Sequence, residues 1–238
     1  MKKLTLTLIA LLTISILAIA QTKLYVYQTD GSRTEFLAES IDSITIGDEL
    51  EIITYDFVDL GLSVKWGTCN VGAKSPDQIG HYFAWGEVEQ KTCYDNTTYI
   101  WYDGSQYIKY NDIDKKYNLE LSDDAANVER GNEWRIPTLE EIKELIENCT
   151  WDLVSFNGVN GYNVTSKINN NSIFLPASGH KLGNYLYDLG TYGYYWSSTL
   201  SQDETFKKSF YLAFSSSDID WSFFYDRNDG RVIRPVLP

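Results

Sequence analysis

Histidine occurs only twice in these 238 residues, at His81 and His180, far apart and each beside glycine or an aromatic ring. That scarcity removes most designs built on a histidine base or a histidine-held metal. The chain carries no HExxH helix, no phosphate-cradling P-loop, no GxSxG elbow and no dinucleotide fingerprint. Its three cysteines, Cys69, Cys93 and Cys149, form no CxxC or CxxCH pair and no Cys/His cluster, so no zinc or redox motif is spelled out. A twelve-residue EF-hand loop is missing as well. Basic residues are short, 20 against 33 acidic, for a formal net charge of −13. A surface of that sign repels phosphate backbones and anionic lipid heads, which argues against nucleic acid and membrane surfaces as partners. Carboxylates abound, yet no spacing singles out one glycosidase-like pair. Repeats of solenoid length, heptad runs and low-complexity tracts are also lacking.

The one long apolar run is N-terminal. Lys2 and Lys3 precede Leu4 to Ala20, which ends in Ala18-Ile19-Ala20, small residues where a signal peptidase reads. The run is short for a spanning helix, which needs about 20 apolar residues. Residues 1–20 are therefore expected to be a cleaved signal peptide, with an uncleaved N-terminal anchor as the alternative. The mature chain would hold no membrane span. No cysteine near the cleavage point supports a lipid anchor, and the protein is expected outside the cytoplasm: extracellular, periplasmic or at the cell surface. In such an oxidising compartment three cysteines permit one disulfide, in any of three pairings, or three free thiols.

Residues 21–50 read as a small β segment. Leu24-Tyr25-Val26-Tyr27 runs into Asp30-Gly31, a hairpin-turn dipeptide, and Arg33 to Phe36 can return as its partner. Ile41, Ile44 and Ile46 mark a third extended piece, and the acidic stretch 47–51 reads as a linker. The segment is too small for a core of its own.

Residues 51–238 form one domain of many short strands and two helices, an α+β pattern. Thr138 with Glu141 three residues on makes a capping box for a helix through Asn148, and Ile142, Leu145 and Ile146 share one face. A second helix spans Ser122 to Glu129, with Ser122 or Asp123 as cap and Gly131 as stop. Strands are expected at 63–67, 80–86, 161–166, 172–176, 193–198, 208–214, 219–225 and 231–236.

Along this domain run six blocks in which large rings sit beside Gly, Pro and Ser: DLGLSVKWGTCNVGA (59–73), YFAWGE (82–87), WRIPTLEEIKEL (134–145), SIFLPASG (172–179), GYYWSS (193–198) and RVIRPV (231–236). In this order they resemble the Fibrobacter succinogenes major paralogous domain family of secreted proteins. More distantly they resemble the formylglycine-generating, sulfatase-modifying branch of the C-type lectin-like fold. The resemblance covers about the last three quarters of the chain and implies a C-type lectin-like domain. It also implies a scaffold role for Trp66, Trp85, Trp134, Trp151 and Trp196, and it favours Cys69 with Cys149 if a disulfide forms. Arg135, Arg231 and Arg234, in the same blocks, read as strand-end ties. The sulfatase-modifying activity does not carry over, since those enzymes use cysteine near their C-terminal end and no cysteine follows Cys149.

The same resemblance places a ligand surface near the C-terminus, at 215–229. Alternation there sets Ile219, Trp221 and Phe223 on one face and Asp220, Ser222 and Phe224 on the other, more ring surface than one core uses. The candidate ligand-binding residues are Asp218, Asp220, Trp221, Ser222, Phe224 and Asp226, with Trp101 a second aromatic candidate. No catalytic residue is assigned and no cofactor is expected. Asp218, Asp220 and Asp226 are an oxygen set compatible with calcium, though no recognised calcium motif supports them. The chain thus reads as a non-enzymatic binding protein for a glycan or a surface protein. Its alternatives are a structural or adhesive component of a surface assembly and a degenerate sulfatase-modifying-type enzyme. Oligomeric state is left open by the sequence.

Overall fold

The computed structural model describes residues 23–27, 33–37 and 56–238, apart from Asn132, Asp203, Glu204 and Phe223. The expected signal peptide, the extended piece at 41–46 and the linker at 47–51 lie outside these residues. The chain divides into two compact units at Thr54/Tyr55. In the first, β1 (Lys23–Tyr27) pairs antiparallel with β2 (Arg33–Leu37), Tyr27 opposite Arg33.

Among its described residues the second unit is mostly β-sheet with two α-helices, α1 (Ala125–Arg130) and α2 (Leu139–Asn148), an α+β arrangement. Among the described residues no helix is long and apolar enough to cross a membrane. The expected capping box at α2 is complete: Thr138 Oγ1 accepts from the Glu141 amide while the Glu141 carboxylate accepts from the Thr138 amide. At α1 the cap is Asp124, just beyond the expected Ser122 or Asp123. Its carboxylate accepts from Ala126 and Asn127 at the helix start and from Ile136 of the next segment.

Strands β3 (Phe57–Val58) and β4 (Lys65–Gly67) pair with each other, and β14 (Val236–Leu237) joins β4 from the far end of the chain. A second sheet has the order β5 (Cys149–Phe156), β6 (Val159–Ser166), β7 (Ser172–Pro176). Strands β8 (His180–Leu182) and β9 (Tyr185–Tyr187) make a short hairpin. The central sheet is β10 (Gly193–Leu200) on β11 (Lys208–Phe214), with β12 (Ile219–Asp220) and β13 (Phe224–Asp226) both on the other edge of β11.

The period of two explains why GYYWSS carries rings in succession. Tyr195, Leu212 and Phe214 enter one core with Trp66, Ile142, Leu145, Val164 and Leu175. Trp196, Tyr211 and Ala213 enter another with Phe83, Trp85, Tyr110 and Ile136. The central sheet is therefore buried on both faces. Gly193 is required here, because a Cβ would lie 2.1 Å from the Phe214 ring.

Residues 231–236 are not the continuous strand expected. Their backbone meets Phe83 at Arg231, Tyr195 at Val232, Val71 at Ile233, Gly67 at Pro235, and Arg135 and Trp66 at Val236. The partner changes almost every residue, so no regular ladder forms, yet four of the other five blocks are stitched to this one. Arg234 reaches the fifth by donating to the Phe174 carbonyl, and it also donates to Gly67, Thr68 and Asn70. The 80–86 stretch likewise holds only a bridge at Phe83.

All three cysteines are free thiols, so the Cys69–Cys149 link is not formed. Their surroundings differ: Cys149 is buried in the first core, where burial pushes its thiol up to about 11. Cys69 lies beside Thr68, and Cys93 donates to the Asp95 carboxylate.

Candidate functional site

The stretch 215–229 does not form one face. Asp220 pairs with Ala213 and Phe224 with Phe210, so four residues of chain advance against three of β11. That is a one-residue bulge, which breaks the strand and reverses the alternation beyond it. The expected 219–225 strand is thus two short ones, and the residues assigned to a single surface separate. Asp218 and Asp220 stand at the Phe214 end of β11. Phe224 and Asp226 stand toward the Lys208 end, about 10 Å and about 17 Å further along by strand rise. The three aspartates therefore do not converge as one oxygen set, and among the described residues no group of His, Cys, Asp and Glu is placed to hold a metal.

Trp221 is half-buried against the first core, with Lys143 Nζ of α2 4.2 Å from its ring centre. Ser222 is exposed, and its amide donates to Asp220 Oδ1. Phe224 is exposed and rests edge-on against Phe210. Trp101, the second aromatic candidate, is a packing ring: its Nε1 donates to Gly86 O and its edge meets Tyr110.

What gathers at the Asp218–Asp220 end is a groove of about 340 Å³, lined chiefly by Tyr192, Tyr194, Tyr211, Ser217, Asp218 and Asp220. This volume is at the lower end of the range for small-molecule clefts. Tyr192 and Tyr194 lie two apart, on one side of the chain around Gly193, and their rings are parallel within 3° at 5.8 Å between centroids. Tyr192 is exposed and Tyr194 half-buried. Tyr194 makes T-shaped contacts with Tyr211 at 5.9 Å and His180 at 5.0 Å, and its hydroxyl donates to Asp188 Oδ2. These contacts fix the ring before any ligand arrives.

The electrostatics of the rim are one-sided. Asp218 Oδ1 accepts from the Ile219 amide, and Asp218 is exposed. The Ser222 amide holds the Asp220 carboxyl below its ordinary value, so it is charged at neutral pH. Burial, with Asp188 beside it, pushes the Tyr194 phenol well above its ordinary value, so it stays a neutral donor. His180 is held below the usual imidazole range, first by burial and then by Arg231, and is neutral at pH 7. Arg231, its guanidinium 4.3 Å from the Tyr211 ring centre, is itself buried. No lysine or arginine lines the groove among the described residues.

Beside this groove the β8–β9 hairpin exposes Tyr185 (69%), Leu186 and Tyr187, the last stacked on His180 at 5.6 Å. A second hollow, of about 410 Å³, is lined by Val154, Phe156, Ile173 and Phe174 and is more apolar.

Of the sequence candidates, Asp218 and Asp220 belong to the groove. Tyr192, Tyr194 and Tyr211 were not among them. The signal was present in Tyr192-Gly193-Tyr194-Tyr195, where alternation puts Tyr192 and Tyr194 together and Tyr195 opposite.

No protein-family model matches the chain, and no curated protein or solved structure matches it significantly.

Proposed function

We propose that the protein is an exported, non-enzymatic binding protein that holds a glycan in the groove between Tyr192, Tyr194 and the Asp218–Asp220 turn. The observation that carries this reading is the parallel pair of tyrosine rings beside hydroxyl and carboxylate acceptors. Flat aromatic faces take the apolar face of a sugar ring, while fixed polar groups take its hydroxyls. Export rests on the Lys2-Lys3 and Leu4–Ala20 pattern. A binding role rather than catalysis fits the two histidines: His180 is packed between rings, and His81 lies 3.8 Å from Glu129. A C-type lectin-like domain is the finer fold we propose. The six blocks that carry the resemblance tie to one another through residues 231–236, which supports that reading.

A glycan array probed with the mature protein and with Tyr192→Ala, each with and without calcium, tests the proposal. The wild type should select a defined glycan set, unaffected by calcium, and the variant should lose it. An empty array, or identical patterns from both proteins, would overturn the reading.

One observation favours a second reading, a structural or adhesive component of an assembly. Strand β5 is a sheet edge whose last residues are exposed on both faces, including Leu153, Val154 and Phe156, with Asp152 the only charge from Thr150 to Phe156. Edges of this kind invite strand pairing unless charge or proline blunts them. On this reading Val154→Lys would abolish self-association measured by sedimentation.

A further inference from the structure

We infer that the groove prefers a sugar bearing a free ammonium group, an amino sugar of the glucosamine type, over neutral or acidic sugars. This rests on the glycan reading above and narrows it. The aromatic platform alone would accept any pyranose with an apolar face; the rim decides which one. Two carboxylates, Asp218 and Asp220, flank the platform, and a third, Asp188, holds the Tyr194 hydroxyl. Among the described residues no lysine or arginine lines the groove to neutralise them, and the nearby Arg231 is buried against Tyr211 and Trp196. Every charged group at the rim is therefore an acceptor, and the chain around it is acidic at a formal −13.

Cations also favour the faces of aromatic rings, so the exposed Tyr192 face and the carboxylates act in the same direction. Uronic acids and sialylated chains meet the opposite: a like charge with no cation among the lining residues to receive it. Neutral sugars keep the stacking and the hydroxyl contacts but gain nothing from the charge. The charge-dependent part of the affinity must fall with salt, because the Debye length shrinks from about 8 Å at physiological strength to about 3 Å at 1 M.

Titration calorimetry of the mature protein with a glucosamine hexamer, its N-acetylated form, cellohexaose and an oligogalacturonate tests this. The amine form should bind at least tenfold more tightly than either neutral hexamer in dilute buffer, the uronate should not bind, and the advantage should vanish in 1 M salt. Asp218→Asn with Asp220→Asn should erase the advantage, so that the amine and neutral hexamers bind alike. Tyr192→Ala should weaken both. Equal or tighter binding of the neutral hexamers overturns the amine preference and leaves the glycan reading standing. Amine binding that survives Tyr192→Ala undiminished is attraction of a polycation to an acidic protein, and overturns the inference. Binding of none of the four overturns the amine preference, and the glycan array then decides the glycan reading.

Discussion

At the scale of single residues, Arg234 ties three of the six blocks together. It is buried, and its guanidinium donates to the Gly67, Thr68 and Phe174 carbonyls and to Asn70 Oδ1 at 2.7–2.9 Å. Arg234→Met would leave three carbonyls and an amide oxygen dry, so a loss of at least about 3 kcal/mol in chemical denaturation is expected. Arg234→Lys should recover little, because one ammonium cannot reproduce the planar fork. Trp196 is equally buried and donates from Nε1 to Phe83 O; Trp196→Ala should cost roughly 3–5 kcal/mol. Asp229 gives a pH signature. Burial raises its carboxyl to about 6, with Arg231 opposing and Asp226 adding to the shift. A carboxyl raised above its ordinary 3.8 binds its proton more readily when folded. The stability it contributes is thus complete below about pH 3.8 and lost as pH rises through about 6. Asp124, raised to about 6 by burial against three amide donors, acts in the same direction. Asp229→Asn should therefore flatten the decline in stability between pH 4 and 6, measured by denaturation across that range.

At the scale of elements, caps and turns were legible where local chemistry decides and illegible where a neighbour decides. The α2 capping box is written in Thr138 and Glu141 alone. The α1 cap is not, because Asp124 is held by the Ile136 amide as well as its own helix, a contact no local pattern contains. Asp124→Ala should lower stability by about 1–2 kcal/mol, while Ser122→Ala should change it by a few tenths at most. Strand β5 could have been found: Asn157 and Gly158, both at positive φ, form the two-residue turn that joins it to β6. Its exposed residues gave no alternation to see. The bulge after Asp220 was hidden for a different reason. It shows only once both ends of 219–226 are paired to β11, so a run that alternates on paper is broken in space.

At the scale of the whole molecule, the six aromatic blocks located the scaffold, since Trp66, Trp85, Trp134 and Trp196 are all buried. They did not locate the groove. It is assembled from the edge of a scaffold block, Tyr192 and Tyr194, and from a turn some twenty residues further on, and only the central sheet brings these together. On the proposal above, this groove and not the Phe224 end of β11 binds the ligand. The direct measurement is a pair of affinities for one array-selected glycan, Tyr192→Ala against Phe224→Ala, with melting temperatures recorded beside them. Both rings are exposed, so both variants should melt within a few degrees of the wild type. Tyr192→Ala should lose at least tenfold in affinity and Phe224→Ala should bind as the wild type does. Full affinity in Tyr192→Ala, with binding lost in Phe224→Ala, would contradict the account.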